Sequence, residues 1–485
     1  MPGEAIQTPY FVDSGSPSGR RVDTIRLWEP PVVAVPPWRG RVRRRMDSST
    51  ERVPLGGGGR PLQTPDPIAR EYLLLALRLG RMLPGIVDAY FGPPDLKAQV
   101  DAEPECTPTK LREDASTMEA RLARDVPQPD RRRWLQAQLV AIEAQALMLA
   151  GDPLPYPDYV ACLFDVSPEW AQESLFESAA ADLVRLLPSG EMRSETVADR
   201  LAAWDAHFAI SAARVPPLTE WIVGLTRETA DRLVGLPTGE RIDFEFVSGG
   251  PWSAFSQYQG GLRSLVEVNT AHLRTPAELI HMAAHECYPG RHAEHAWKEA
   301  RVAGELGRLE ATITLVNTPE ALIREGLAYL GERLVVPEDA LPDLLVELYQ
   351  RAGLAVSADP AAARDAAEKQ VLIERALASL RGVVANAAYL LHADGAPKEA
   401  VKDYMRRYLV MSPDRAAKQI TLVDDPISRA EVAVASEGER LLRRWFELGP
   451  ESERVDRFGR LLREQLTPRA IAEDVASAGY GEGGF

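Results

Sequence analysis

The strongest constraint on this chain is a helical spacing of apolar residues that recurs from Pro67 almost to the carboxyl end. Residues 68–82 (IAREYLLLALRLGRM) place apolar side chains at i, i+3, i+4 and i+7, and Pro84-Gly85 ends the pattern. No fixed-period repeat accompanies it, which argues against a solenoid. We predict a mainly α fold of helices packed on helices. Further helical segments are expected at 111–126, 131–149, 169–187, 198–213, 218–234, 341–352, 361–391, 398–409, 428–448 and 452–462.

Residues 241–269 have strand spacing instead. Apolar and acidic residues alternate at 242–246, and valines alternate with Leu265, Glu267 and Asn269. Glycine-rich turn sequences lie between them, at 248–252 and 258–261. We predict a small β-hairpin or sheet directly before the histidine-rich segment described below. Such a sheet could simply stabilise the next helix, or its edge strand could hold an extended peptide through main-chain hydrogen bonds.

Composition excludes several classes of partner. The formal charge is −15 over 485 residues, whereas nucleic acids and anionic membranes need a basic surface. No segment reaches the roughly 20 apolar residues of a membrane span, and Met1 to Gln7 lack the order of a secretion signal. The three cysteines, which lie far apart, form no disulfide framework. We expect a cytoplasmic protein without nucleic-acid or membrane partners; the sequence does not define its oligomeric state.

The first 60 residues differ from the rest of the chain. They contain ten arginines and six acidic residues, two proline pairs and a run of four glycines. We predict a disordered extension at 1–60, of which residues 1–45 lie outside the native protein if synthesis begins at Met46. The alternative is a basic tail with a binding role. Two further regions follow, a helical one at 61–240 and one at 241–485 that contains the candidate site. We expect them to pack as one unit.

Four of the seven histidines lie within one short segment, 278–299. The helix that contains them has a clear start, because Thr275 can cap it, Pro276 suits its first turn and Glu278 completes a capping box. His281 and His285 are four residues apart and therefore share a helix face. This concentration of the most versatile metal-binding side chain predicts a metal site.

The pair His285-Glu286 begins like the zinc-hydrolase signature H-E-x-x-H, in which two imidazoles hold zinc and the glutamate draws a proton from bound water. Pro289 stands where the second histidine would be. The next histidine is His292, about 10.5 Å further along an unbroken helix, which is too far to share an ion. Because proline removes a backbone donor and glycine tolerates a turn, Pro289-Gly290 predicts a break that could return His292 to the metal.

Residues 285–292 (HECYPGRH) resemble the H-E-x-x-P-G-H-H motif of a bacterial family known as domain of unknown function 885. Residues 325–332 (EGLAYLGE) are similar to its E-G-W-A-L-Y-x-E segment, and the likeness extends over about 67–448. The family resembles helical gluzincin peptidases such as neurolysin and carboxypeptidase Taq. The resemblance implies a zincin-like fold with Zn²⁺ held by His285, His292 and Glu325, Glu286 as catalytic base, and short peptides as substrates.

The residues around Glu325 also indicate a buried metal ligand at this position. Thr318-Pro319 is a helix start, small residues flank Glu325 on its face of the helix, and a buried carboxylate needs a compensating cation. The further candidates for orienting ligands or contacting substrate are His281, His295, Arg291, Tyr288 and Glu332.

One departure from the family motif leaves the function open. Arg291 occupies the first of the two histidine positions after the glycine, so the site is intact only if His292 is the ligand. We therefore predict a zinc-dependent peptidase-like hydrolase, with a catalytically silent relative that binds peptide or protein in the same cleft as the alternative. A helical scaffold with a purely structural metal is a third possibility.

Overall fold

The computed structural model describes residues 64–189, 196–249, 253–272, 274–410 and 413–478. The predicted extension at 1–60, the alternative start at Met46 and part of the predicted turn at 248–252 lie outside these ranges. Within them the chain is mainly helical with two small sheets. No helix among the described residues is long and apolar enough to cross a membrane.

Proline and short polar side chains define many of the helix starts. Proline stands in the first turn of most of the longer helices, where its missing N–H costs no hydrogen bond. Thr107, Thr275 and Thr467 accept a hydrogen bond from the backbone N–H three residues later. The capping box predicted at Thr275 and Glu278 is present.

The amino-terminal half of the described chain is eight helices and one short strand. The apolar faces of its first four helices pack into one core that includes Leu73, Leu75 and Trp134. The elements in order are α1 (Pro67–Met82), β1 (Val87–Tyr90), α2 (Pro94–Ala102), α3 (Pro108–Asp125), α4 (Pro129–Leu149), α5 (Tyr156–Phe164), α6 (Glu173–Leu186), α7 (Val197–His207) and α8 (Val215–Val234).

The predicted sheet contains three strands: β2 (Arg241–Val247), β3 (Ala254–Tyr258) and β4 (Arg263–Asn269). Their order is β2-β4-β3, with β2 parallel and β3 antiparallel to β4. Phe244 and Ser256 both pair with the central Val266. The predicted small sheet is present, and β2 pairs with the third strand rather than with its neighbour in sequence.

The candidate-site segments follow the sheet. They are α9 (Pro276–Met282), a π-helical turn (Ala283–Cys287), α10 (Arg291–Trp297), a second π-helical turn (Lys298–Glu305), β5 (Ile313–Leu315) and α11 (Pro319–Val335). Strand β5 returns to pair antiparallel with β1, with Tyr90 opposite Ile313. Strand β5 packs against both α1 and α11.

Nine further helices complete the described chain. They are α12 (Leu341–Ala352), α13 (Pro360–Ser379), α14 (Gly382–His392), α15 (Lys398–Tyr408), α16 (Pro413–Asp424), α17 (Ser428–Glu431), α18 (Val434–Phe446), α19 (Arg454–Arg463) and α20 (Pro468–Ser477). The helices predicted at 361–391 and 428–448 are each two helices. Helix α11 packs closely on α18, and both lie against α20 in a core that includes Leu322, Leu442 and Trp445.

Candidate functional site

The backbone between α9 and α10 brings the histidine-glutamate pair to a break in the helix. Residues Ala283–Cys287 form a π-helical turn, Tyr288 is extended, and the helix resumes at Arg291. A Cβ at Gly290 would lie 2.0 Å from the backbone oxygen of His285, so only glycine fits there. The interruption predicted from Pro289-Gly290 is present, and π-helical turns of this kind often mark functional sites.

Four side chains meet at this break: His285, Glu286, Arg291 and Glu325. The Arg291 guanidinium donates to Glu325 Oε1 through Nη2. Its Nε lies 3.9 Å from Glu286 Oε2, and His285 Nε2 lies 3.6 Å from Glu325 Oε2. The side chains of Arg291 and Glu325 are each 6% exposed, so this is a buried ion pair. Arg291 therefore supplies the cation that the buried Glu325 was expected to need.

His292 belongs to a different cluster. Its Nε2 donates to Glu240 Oε2 at 2.8 Å, and its Nδ1 lies 2.8 Å from Ser264 Oγ. Tyr288 donates its hydroxyl to the same Glu240, and Arg227 pairs with the other carboxylate oxygen. Because His292 is fully buried and both its ring nitrogens are engaged, it fastens α10 to the sheet.

The remaining histidines of the segment lie on either side of the break. His281 donates through Nδ1 to Glu332 Oε2 at 2.6 Å, and its ring stacks on Tyr329. His295 donates to the backbone oxygen of Arg291 and stacks on Tyr258 of β3. His281 and Glu332 therefore border the four-residue group, whereas His295 supports the backbone of Arg291.

Two glycines of α11 determine where Glu325 lies. A Cβ at Gly326 would lie 2.4 Å from the backbone oxygen of Gly438 in α18, so the two helix backbones touch at this point. A Cβ at Gly331 would lie 2.8 Å from Pro289 Cγ, on the interrupted segment. The E-G-L-A-Y-L-G-E sequence thus positions its carboxylate by close contact on both sides.

Burial sets the protonation of the group. Burial and the neighbouring His281 and Arg291 hold the pKa of His285 well below its usual value, so the imidazole is neutral. Burial raises the pKa of Glu286, although Arg291 opposes that shift. The pKa of Arg291 is raised by Glu325 and Glu286 against the effect of burial, which keeps the guanidinium charged.

The predicted zinc ligands lie in two separate clusters. Among the residues that the structure describes, no three His, Cys, Asp or Glu side chains are grouped so as to hold a metal ion. His285 lies beside Glu325, and the Arg291 guanidinium pairs with the same Glu325 carboxylate. His292 instead bonds to Glu240. In the structure α10 resumes in a rotation that directs Arg291 toward Glu325 and His292 toward Glu240. The ligand set His285, His292 and Glu325 stays a prediction.

Sequence reasoning missed a set of charged residues around the group. Asp88 on β1, Glu320 and Arg324 on α11, and Glu431 on α17 all act electrostatically on it or on each other. Lys298 lies 4.0 Å from Glu320. These residues come from segments up to about 340 positions apart, and only the charge of each was visible in the sequence.

No family model matches the chain, and no curated protein matches it. Among solved structures it is similar to a crystal structure of a presumed lipoprotein from Colwellia psychrerythraea, at 14% identity and a TM-score of 0.43. The similarity covers 76% of this chain and 66% of that one, just under two thirds of its length.

Proposed function

We propose that this chain is a metal-free relative of the helical zinc peptidases that binds peptides or proteins without hydrolysing them. The observation that carries the proposal is the Arg291–Glu325 ion pair at the break in the histidine helix. In the zinc chemistry expected from the motif, Glu325 would be a metal ligand and Glu286 the base. Here one guanidinium is the nearest cation to both carboxylates.

The chemistry of Arg291 also supports a binding role. In zinc hydrolases the general base faces a water whose acidity the metal has increased. In this chain the charged group beside Glu286 is the Arg291 guanidinium. Arg291 is a fixed hydrogen-bond donor that cannot give up a proton. Such a group can hold a carbonyl or carboxylate of a ligand, but it lacks a means to generate hydroxide.

Strand β3 offers a place for an extended chain. It is an edge of the three-stranded sheet, and it packs against Ala283–Cys287, the turn that contains His285 and Glu286. A peptide strand added to such an edge is held by main-chain hydrogen bonds, with little demand on its sequence. A peptide on β3 would pass beside the four-residue group, as the zincin-like arrangement inferred from the motif requires.

The decisive experiment restores the missing imidazole. We expect wild-type protein purified from zinc-replete medium to contain well under one zinc per chain by elemental mass spectrometry. The Arg291→His variant should bind zinc and lose it when His285 is replaced by alanine. Arg324→His, which alters a neighbouring buried arginine, is the matched control and should bind none.

A zinc-dependent hydrolase would give the opposite results in these experiments. About one zinc per wild-type chain, lost in His285→Ala, together with peptide cleavage abolished by chelator and by Glu286→Gln, would overturn the metal-free proposal. Screening a peptide mixture by mass spectrometry, with and without chelator, measures that cleavage directly.

A further inference from the structure

Three arginines converge on one carboxylate beside the candidate site. Arg333 of α11 and Arg443 of α18 both donate to Glu439 Oε1, the former at 3.4 Å. Arg381, which directly precedes α14, donates to Glu439 Oε2. This shared acceptor holds the three guanidiniums around one point. Among the described residues no other carboxylate is paired with three arginines. Arg333, Arg381 and Arg443 form the arginine cluster.

Close contact between α11 and α18 brings the arginine cluster together. Glu439 follows Gly438, whose backbone touches that of Gly326 in α11. Arg333 lies seven residues after Gly326, about two helical turns, so the two residues share a face of α11. Arg443 lies one turn after Glu439 on α18. The glycine contact that positions the candidate site thus also places the arginine cluster.

The arginine cluster carries more charge than the neighbouring acids neutralise. Glu439 offers one negative charge to three guanidiniums. Glu332, the neighbouring carboxylate of α11, is already bound by His281 at 2.6 Å. Burial and the charges of the other two guanidiniums lower the pKa of Arg333, against the opposing effect of Glu439. In a chain of formal charge −15, this local excess of positive charge attracts an anion.

The donors of the arginine cluster are open to solvent. Within the described ranges each guanidinium hydrogen-bonds through a single nitrogen, which donates to Glu439. A guanidinium has five N–H donors in a planar fork that matches the two oxygens of a carboxylate. The side chains of Arg333, Arg381 and Arg443 are 52%, 30% and 41% exposed, whereas that of Glu439 is 11% exposed. An anion from solvent therefore reaches unused donors while the competing acid stays covered.

One aromatic ring separates the arginine cluster from the break in the histidine helix. Arg381 Cζ lies 4.3 Å from the centre of the Tyr329 ring. The centre of the same ring lies 5.2 Å from that of the His285 ring and 5.5 Å from that of the His281 ring. An extended peptide advances about 3.3 Å per residue, so about three residues span these steps. A peptide held at the break can therefore place a side chain or its terminus on the arginine cluster.

Resting on the peptide-binding function proposed above, we propose that the arginine cluster binds a carboxylate of the peptide. The carboxylate would accept hydrogen bonds from the unused donors of Arg333, Arg381 and Arg443. Its source is an Asp or Glu side chain or the free carboxyl terminus, since both present the same pair of oxygens. The cluster would thus select acidic ligands for a chain whose net charge otherwise repels them.

Affinity selection from peptide mixtures tests this preference. Acetylated random pentapeptides, in a carboxamide form and a free-carboxyl form, are incubated with the full chain at neutral pH. Bound peptides are separated by ultrafiltration and identified by mass spectrometry. We expect peptides with one carboxylate to be retained at least about tenfold more than peptides with none. Enrichment of Asp or Glu among the carboxamides assigns the source to a side chain. Retention of free-carboxyl peptides without acidic side chains assigns it to the terminus.

Substitutions within the arginine cluster should remove the preference. Arg381→Gln and Arg443→Gln should each remove most of it, whereas Arg443→Lys keeps the charge and should retain part of it. The matched control is Arg406→Gln, at an arginine that is 46% exposed and pairs with Asp403; it should leave the preference unchanged. Neutral peptides report binding at the break itself, so their retention should be the same in all of these variants.

Glu439→Gln separates anion binding from simple stabilisation of the fold. The substitution removes the competing negative charge but keeps an oxygen that accepts from the arginines. We expect it to retain acidic peptides more strongly than wild type does, and neutral peptides equally. A loss of folding would weaken both, so it cannot imitate this gain. Raising sodium chloride from about 0.05 M to about 0.5 M should reduce the preference, because salt screens exposed charges.

Three outcomes contradict the inference and can be told apart. Equal retention of acidic and neutral peptides by wild type rejects the carboxylate site but leaves peptide binding intact. A preference that persists in both Arg381→Gln and Arg443→Gln shows that the acidic group binds elsewhere. Retention of no peptide in either form rejects peptide binding itself, and the carboxylate site with it.

Discussion

Replacing Arg291 by methionine removes the guanidinium and keeps a side chain of similar length. The Glu325 carboxylate, 6% exposed, is then left without its cation, and Glu286 loses the guanidinium 3.9 Å away. Removing one partner of a buried ion pair costs about 3–5 kcal/mol, because the other charge stays buried and unpaired. We expect Arg291→Met to lower the free energy of unfolding by about 4 kcal/mol, a large part of a typical domain's stability.

Urea unfolding, followed by far-ultraviolet circular dichroism, measures this cost. The double variant Arg291→Met/Glu325→Gln replaces the pair by two neutral side chains. Its loss of unfolding free energy should therefore be smaller, by about 1 kcal/mol or more, than the sum of the losses in the two single variants. The control is Arg375→Met, which breaks an ion pair with Glu338 whose side chains are 62% and 56% exposed; it should change stability by no more than about 0.5 kcal/mol.

The cost should also depend on pH in a defined direction. The folded-state pKa of Glu286 is above its usual value near 4.5, so its contribution is present below that pH and is lost as the pH rises through the folded value. Arg291 moderates the shift, and its removal enlarges the loss. The Arg291→Met penalty should grow from about pH 4.5 upward. A penalty below about 1 kcal/mol, simple additivity in the double variant, or a penalty that shrinks with rising pH would refute the reasoning.

Three further predictions concern packing, pH and thiol chemistry. Gly326→Ala should destabilise by about 1–3 kcal/mol, because its Cβ meets the backbone of α18, whereas Gly224→Ala, with open space around its Cβ, should stabilise by about 0.5–1 kcal/mol in urea unfolding. In the His281–Glu332 pair the histidine pKa is raised and the glutamate pKa is lowered, so the pair stabilises the fold fully between about pH 4.5 and 6.5. Glu332→Gln should lower the free energy of unfolding by at most about 1 kcal/mol in that range, because the His281 side chain is 41% exposed, and by less at pH 9. Burial raises the pKa of the Cys287 thiol well above its usual value, so a disulfide reagent should modify the other two cysteines in native protein and Cys287 only after unfolding.

Periodicity in the sequence predicted most of the longer helices, because an amphipathic face is a local property. The spacing at 341–352 gives the bounds of α12, and that at 131–149 falls within two residues of those of α4. Continuous apolar spacing could not show that 361–391 is interrupted, since Leu380 and Arg381 continue the pattern while the chain turns between α13 and α14.

Long-range pairing was the part of the fold that the sequence concealed. Strand β1 is four residues long and pairs with β5 more than 220 positions later, so neither carries a recognisable strand signal. The parallel pairing of β2 with β4 was hidden for a similar reason, because alternation predicts strands but not their order.

The candidate site was predictable in its elements and not in its orientation. The cap at Thr275, the break at Pro289-Gly290 and the buried Glu325 all follow from local chemistry, and the structure contains each of them. Which side chain faces Glu325 after the break depends on the rotation at which α10 resumes. Neighbouring helical residues point about 100° apart, so that rotation decides between Arg291 and His292.

The contact between Gly331 and Pro289 couples two stretches of chain that are 42 positions apart in the numbering. The proline ring occupies the volume that any side chain at residue 331 would need, so neither position can enlarge alone. Homologues that carry a bulkier amino acid at one of them should have exchanged the other as well. Their covariation would reveal this steric dependence in an alignment, without reference to any activity.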